Sequence, residues 1–153
     1  MNVDTIPPLV IQDCECRYDF SSATGTITYC GEITPEITRK VYEWMAQTLN
    51  LIPPGHKVRG AIFDFTRVDE SSSTNITTAN IRGKSFRAEH APIITSIPTA
   101  LVVQTMYQEL LVETMMKLAK HSRDDADSHV RLVTSLDEAH SFIDEWHQEK
   151  RAI

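Results

Sequence analysis

The chain has little of what marks the specialised protein classes. Its 153 residues include only three cysteines, an odd number, and five glycines. Three cysteines without four well-spaced Cys or His ligands make neither a disulfide framework nor a structural zinc site. No apolar run is long enough to span a bilayer, and the opening MNVDTIPPLV lacks the basic segment and sustained apolar segment of an export signal. There is no Walker A loop, no G-x-G-x-x-G turn, no G-x-S-x-G elbow and no H-E-x-x-H pair. Nucleotide, dinucleotide, serine-hydrolase and zinc-protease chemistries therefore lack their usual machinery. Basic residues are also scarce, 15 Lys and Arg against 21 Asp and Glu, for a net charge of −6. Affinity for nucleic acid draws on counterion release by clustered Lys and Arg, so a general phosphate-backbone binder is excluded. The local cluster Arg82, Lys84 and Arg87 spreads over a broad helical face and reads as solvated surface.

What is present is ordinary for a soluble globule: 41% hydrophobic and 24% charged residues. A chain of this length buries ~70% of the surface its unfolded form exposes, enough for one core without staples. The expectation is an N-terminal arm over 1–12 and a single domain over 13–150. The odd cysteine count and absent export signal lead us to expect a reducing cytoplasm, with no cofactor, no nucleic-acid partner and no membrane insertion.

Along the chain, Pro7 and Pro8 precede Leu9, Val10 and Ile11, which reads as an irregular arm leading into an early strand. Cys14, Cys16, Tyr18 and Phe20 then alternate with Glu15, Arg17 and Asp19, the mark of a half-buried strand. Ser21 to Gly25 is turn chemistry, with Gly25 expected to supply a positive φ, and Thr26 to Cys30 resumes the strand to complete a hairpin. On this pattern Cys14 and Cys16 face the core as small hydrophobes. Thr34, Pro35 and Glu36 announce a helix with an N-cap, a proline in its first turn and an acid near the dipole. Ile37, Val41, Trp44, Met45 and Thr48 form its inward stripe, and it should stop near Asn50, ahead of Pro53, Pro54 and Gly55.

The stretch Arg59 to Asn80, RGAIFDFTRVDESSSTNITTAN, is the most site-like part. Ala61, Ile62 and Phe63 predict an inner strand, and Asp64 sets a carboxylate near its C-terminal end, where sites of open α/β sheets gather. Asp69, Glu70 and Ser71 to Ser73 follow as N-cap and first-turn types. Ile76, Ala79, Gly83 and Phe86 then suggest a weak second helix ending at Pro92. Pro98 to Gln104 predicts another inner strand, followed by a helix whose apolar side is Met106, Leu110, Leu111, Met115 and Leu118. After a charged connection, Val130 to Val133 is a last strand. Ser135 and Glu138 form a capping box for a final helix facing inward through Leu136, Ala139, Phe142, Ile143 and Trp146. The reading is α/β, a single mixed sheet in β-β-α-β-α-β-α-β-α order.

This element order, with D-F-T-R-V, the serine turn and a closing S-L-D-E-A-x-x-F-I helix, resembles the SpoIIAA-like superfamily. That group holds the STAS domains of anti-sigma-factor antagonists and many small bacterial proteins. The resemblance covers roughly Arg17 to His147. Asp64, Phe65, Thr66 and Val68 are similar to the D-L-S-x-V that follows the central strand of STAS domains. Ser71 and Ser72 stand where the family places a D-S-S-G turn whose serine a partner kinase phosphorylates. Here the segment from Val68 to the serines is shorter and no glycine follows them. The resemblance implies a SpoIIAA/STAS-like, non-enzymatic domain that signals by protein contact through Asp64, Asp69, Ser71, Ser72 and Ser73. Its implied partner is a regulatory kinase or an anti-sigma-type protein. Taken by themselves, the serines are helix-capping residues and Asp64 is a strand-end acceptor of backbone N–H bonds.

A second expectation is a carrier of a lipid or small apolar ligand with similar architecture, its closed pocket near Phe86, Met106 and Met115. A homodimer is the commonest closed assembly. An enzyme using Asp64 and a histidine has no supporting feature in the sequence.

Overall fold

The computed structural model describes residues 6–11, 14–69, 97–118 and 129–151. Six strands form one mixed sheet: β1 (Leu9–Ile11), β2 (Cys14–Asp19), β3 (Thr24–Gly31), β4 (Gly60–Val68), β5 (Thr99–Val102) and β6 (Val130–Val133). Their order across the sheet is their order in the chain. The β1/β2 and β2/β3 pairs are antiparallel, and β3 to β6 run parallel. Three helices are described: α1 (Pro35–Leu51), α2 (Met106–Leu118) and α3 (Leu136–Arg151). The helix expected around Ile76 to Phe86, with Arg82, Lys84 and Arg87, lies outside the described residues.

Alternation along the strands separates two cores. On one face Ile27, Tyr29, Phe65 and Val68 pack with Ile37, Val41 and Trp44 of α1 and with Leu111, Val112 and Met116 of α2. Each such fully buried aliphatic side chain contributes ~1.5–3 kcal/mol relative to exposure. On the other face Ile62, Ala100, Val102 and Val133 lie under Ala139, Phe142 and Ile143 of α3, with Trp146 at the margin. The fit there is close at Gly60, where a Cβ would stand 2.6 Å from Ile143 Cδ1 and 2.9 Å from its Cγ1. At the same place His147 Nε2 donates to the Arg59 carbonyl at 2.7 Å, and the Arg59 guanidinium pairs with Asp144.

Local signals account for most boundaries. Thr34 Oγ1 accepts the Ile37 N–H at 3.2 Å as the N-cap of α1. At α3 the Glu138 N–H reaches Ser135 Oγ, and the Glu138 carboxylate turns back to the Thr134 N–H and hydroxyl. Those bonds hold the Glu138 carboxyl below its ordinary pKa, the Thr134 backbone N–H contributing most.

Four expectations are corrected. The left-handed residue of the hairpin is Ala23, φ 54°, not Gly25, because Gly25 already belongs to β3 and pairs with Tyr18. The buried face of α2 is Gln108, Leu111, Val112 and Met116, while Met106 and Leu110 are 78% and 57% exposed. Apolar residues nearly encircle this helix, so their spacing leaves its rotation undetermined. Leu136 is likewise exposed at the first turn of α3. Finally, β4 continues past Phe65 to Val68.

Candidate functional site

β4 carries the reason for its own extension. Thr28 pairs with Asp64, but Cys30 pairs with Arg67, so β4 holds one residue more than β3 over this interval, a β-bulge. The bulge rephases the strand, so Phe65 and Val68, three positions apart, both reach the same core. It also disturbs the ladder, and Asp64 Oδ1 accepts the Thr66 N–H at 2.9 Å. Asp64 is 7% exposed. Its carboxylate thus caps the bulge in the way expected of a strand-end acceptor.

A residue that the sequence did not single out completes this edge. Gln108, 2% exposed, sits in the first turn of α2. Its Nε2 donates to the Thr66 carbonyl at 3.1 Å and the Val68 carbonyl at 3.4 Å. Its Oε1 accepts from the N–H groups of Gln104, at 2.9 Å, and Thr105, at 3.2 Å. Both protons and both lone pairs of the amide are used. The side chain therefore ties the end of β4 to the start of α2. Beyond the tie, the Asp69 N–H donates to the Gly31 carbonyl at 3.0 Å, at the C-terminal edge of the parallel strands.

Of the sequence-derived contact residues, Asp64 lies at the bulge in the middle of β4 and Asp69 just past its end, Asp64 buried and Asp69 exposed. Ser71, Ser72 and Ser73 lie outside the described residues. Of the residues expected to line an apolar pocket, Phe86 also lies outside them. Met106 and Met115 are not brought together, since Met106 projects into solvent while Met115 is half-buried against the larger core.

A different cluster stands at the opposite, N-terminal edge. The Tyr18 hydroxyl and His56 Nε2 are hydrogen-bonded at 2.6 Å. Phe20 meets both rings, with centroids 5.0 Å from Tyr18 and 4.9 Å from His56. Burial, and secondarily the charge of Asp19, push the Tyr18 phenol up to about 12. Asp19 itself is held below its ordinary pKa, chiefly by the Ser21 hydroxyl and then by the Ser21 N–H. An open trough of about 530 Å³ follows this edge, bounded by Ile6 and Pro8 of the arm, by Arg17 to Phe20, and by Thr24 and Thr26. Tyr18 and His56 lie 38 positions apart, and nothing in their local spacing announces the meeting.

Cys14 and Cys16 are buried neighbours on the core face of β2, as their alternation predicts. A hydrogen bond between the thiols lowers the pKa of Cys14 and raises that of Cys16, which burial raises further. Among the described residues no three His, Cys, Asp or Glu side chains are grouped to hold a metal ion, and no helix is long and apolar enough to cross a membrane. No family model matches the chain, and no curated protein is significantly similar to it.

Proposed function

We propose that the protein is a non-enzymatic regulatory domain of SpoIIAA-like, STAS-like character, acting through the C-terminal edge from Asp64 to Ser73. The observation that carries this reading is the rigid exit of β4. The bulge capped by Asp64, the Gln108 clamp and the Asp69 N–H bond together hold the end of β4 as far as Asp69. A contact surface gains affinity when its base is held in one geometry before binding. Ser71, Ser72 and Ser73 follow that base directly in sequence. A phosphate on one of them adds about −1.5 to −2 charge and three strong acceptors, enough to switch a docking surface beside exposed Asp69. The implied partner is a kinase or an anti-sigma-type protein, and the implied compartment is the cytoplasm.

The test is affinity capture from the native cell with three baits: the unaltered chain, Ser71→Ala/Ser72→Ala/Ser73→Ala, and the corresponding triple Asp substitution. Phosphopeptide mass spectrometry of the unaltered bait accompanies it. The expected result is a partner retained by the Ala form and lost or exchanged by the Asp form, with phosphate found on the serine segment. Identical partners on all three baits and no phosphate would sink the reading.

A further inference from the structure

Cys14 and Cys16 share one face of β2, with Glu15 turned to the other, and are 2% and 0% exposed. Two positions along a strand set their Cα atoms about 6.8 Å apart, with the Cβ atoms side by side. A disulfide needs its Cβ atoms about 3.5–4.5 Å apart, so the pair cannot be bridged while β2 stays extended. The thiols still meet through a hydrogen bond. Cys16 holds its proton, and that S–H favours the thiolate of Cys14. A thiolate beside a second thiol is the arrangement of a nucleophilic and a resolving cysteine. Cys30 stands apart, because Tyr29 joins the pair in the core and strand alternation turns Cys30 to the opposite face.

A thin part of the fold shields the pair. β1, the outermost of the described strands, is three residues long, with Leu9 opposite Cys16 and Ile11 opposite Cys14. Directly opposite residues point to the same face, so lifting β1 removes the two side chains beside the thiols. Ahead of it, Pro7 and Pro8 have no amide hydrogen to extend the ladder. The arm is held by buried Ile6 and by the Trp44 indole N–H, which donates to the Pro7 carbonyl at 2.8 Å. Short edge elements with few backbone bonds open locally, without global unfolding.

We propose that Cys14 and Cys16 are a peroxide-responsive switch, oxidised by a hydroperoxide when β1 lifts to an intrastrand disulfide that keeps β1 and the arm off the sheet. The Cys14 thiolate attacks the hydroperoxide: an S–O bond forms, the O–O bond breaks, and the released alkoxide takes a proton from water. The Cys16 thiol loses its proton to solvent and attacks the Cys14 sulfur. The S–S bond forms, the S–O bond breaks, and the departing hydroxide is protonated to water. Two thiols are oxidised, and one hydroperoxide is reduced to an alcohol and water. Bridging bends β2, so Cys14 and Cys16 lose their register with Ile11 and Leu9. The reduced protein holds the arm and the oxidised protein releases it.

The test treats the full chain carrying Cys30→Ser, which removes the half-exposed competing thiol, with hydrogen peroxide. Intact mass, peptide mapping and amide hydrogen exchange follow the product. The expected result is a Cys14–Cys16 disulfide, with exchange at Leu9 to Ile11 faster by about tenfold or more and protection kept at Ile62 and Phe65. A dithiol reductant should restore the protection. In the same background Cys16→Ser keeps an O–H donor beside Cys14 but cannot form the bond, so oxidation should stop at a Cys14 sulfenic acid, trapped by dimedone. If that variant fails to fold by circular dichroism, the disulfide and exchange measurements decide alone. Thiols that stay reduced while β4 stays protected, a disulfide with Leu9 to Ile11 still protected, or loss of protection throughout β4 would overturn the inference.

Discussion

The two edges of the parallel strands use their polar groups in opposite ways. At the C-terminal edge Asp64 and Gln108 are buried and occupied, one capping a bulge and the other making four hydrogen bonds within the fold. At the N-terminal edge Arg17, Tyr18 and Asp19 are exposed or half-buried along a trough, with Tyr18 hydrogen-bonded to His56. The lesson concerns what a perturbed or buried polar residue means. Asp64 looked site-like for its position at a strand end, yet its geometry is that of a structural cap. The C-terminal edge ties its polar groups into the fold, whereas the N-terminal edge leaves its own exposed or half-buried.

The sharpest way to break this contrast is Gln108→Leu. It removes an amide and leaves the carbonyls of Thr66 and Val68 and the N–H groups of Gln104 and Thr105 to find other partners. Each buried group left unsatisfied costs ~1–3 kcal/mol, so a total loss of about 3 kcal/mol or more is expected in urea unfolding. A loss under ~1 kcal/mol would show that water or solvent takes over the clamp and that the edge is not rigid.

Next in size is Gly60→Ala. The new methyl meets a branched side chain held in its rotamer, and overpacking of this kind costs ~1–3 kcal/mol. Ile143→Ala is destabilising by itself, but in the double substitution the two effects should add to less than their sum. Strict additivity measured by denaturant melts would mean that α3 shifts bodily instead of clashing at this position.

The smallest expected effect is that of Tyr18→Phe, about 0.5–1.5 kcal/mol for the half-buried hydrogen bond to His56. Its pH dependence is more telling than its size. The folded phenol holds its proton up to about 12. An unfolded tyrosine ionises near ~10, so the stability from this shift is complete below ~10 and is lost as pH rises through the folded value. Unfolding of Tyr18→Phe should therefore depend less steeply on pH across that alkaline window than unfolding of the unaltered chain. Equal slopes would place Tyr18 in an environment no drier than the unfolded state.

How much of this was legible in the sequence follows the range of the signals. Thr34 with Pro35, and Ser135 with Glu138, gave two helix starts because a cap acts within one turn. The alternation from Cys14 to Phe20 gave the strand and the burial of both thiols for the same reason. The bulge leaves a trace, since Phe65 and Val68 are apolar at a spacing that strict alternation forbids, and a break in alternation reads as the end of a strand. Gln108 left none. A lone amide in a helix ringed by apolar residues is assigned to the solvent side by default, and only the position of β4 turns it inward. Tyr18 with His56, and Trp44 with Pro7, join positions 38 and 37 apart, which no local pattern encodes.

The sheet's strand order also bears on how the chain reaches this structure. Each strand pairs with the one before it in sequence, so a chain emerging from the ribosome always finds the neighbouring edge already made. The β2/β3 hairpin closes a short loop, and sequential pairing lets the sheet extend from it. The last helix, α3, reaches back through His147 to Arg59, 88 positions earlier. Until those last turns leave the ribosome, Ile62, Ala100 and Val102 lack the α3 side chains that cover them in the finished fold, and that face of the nascent chain stays sticky.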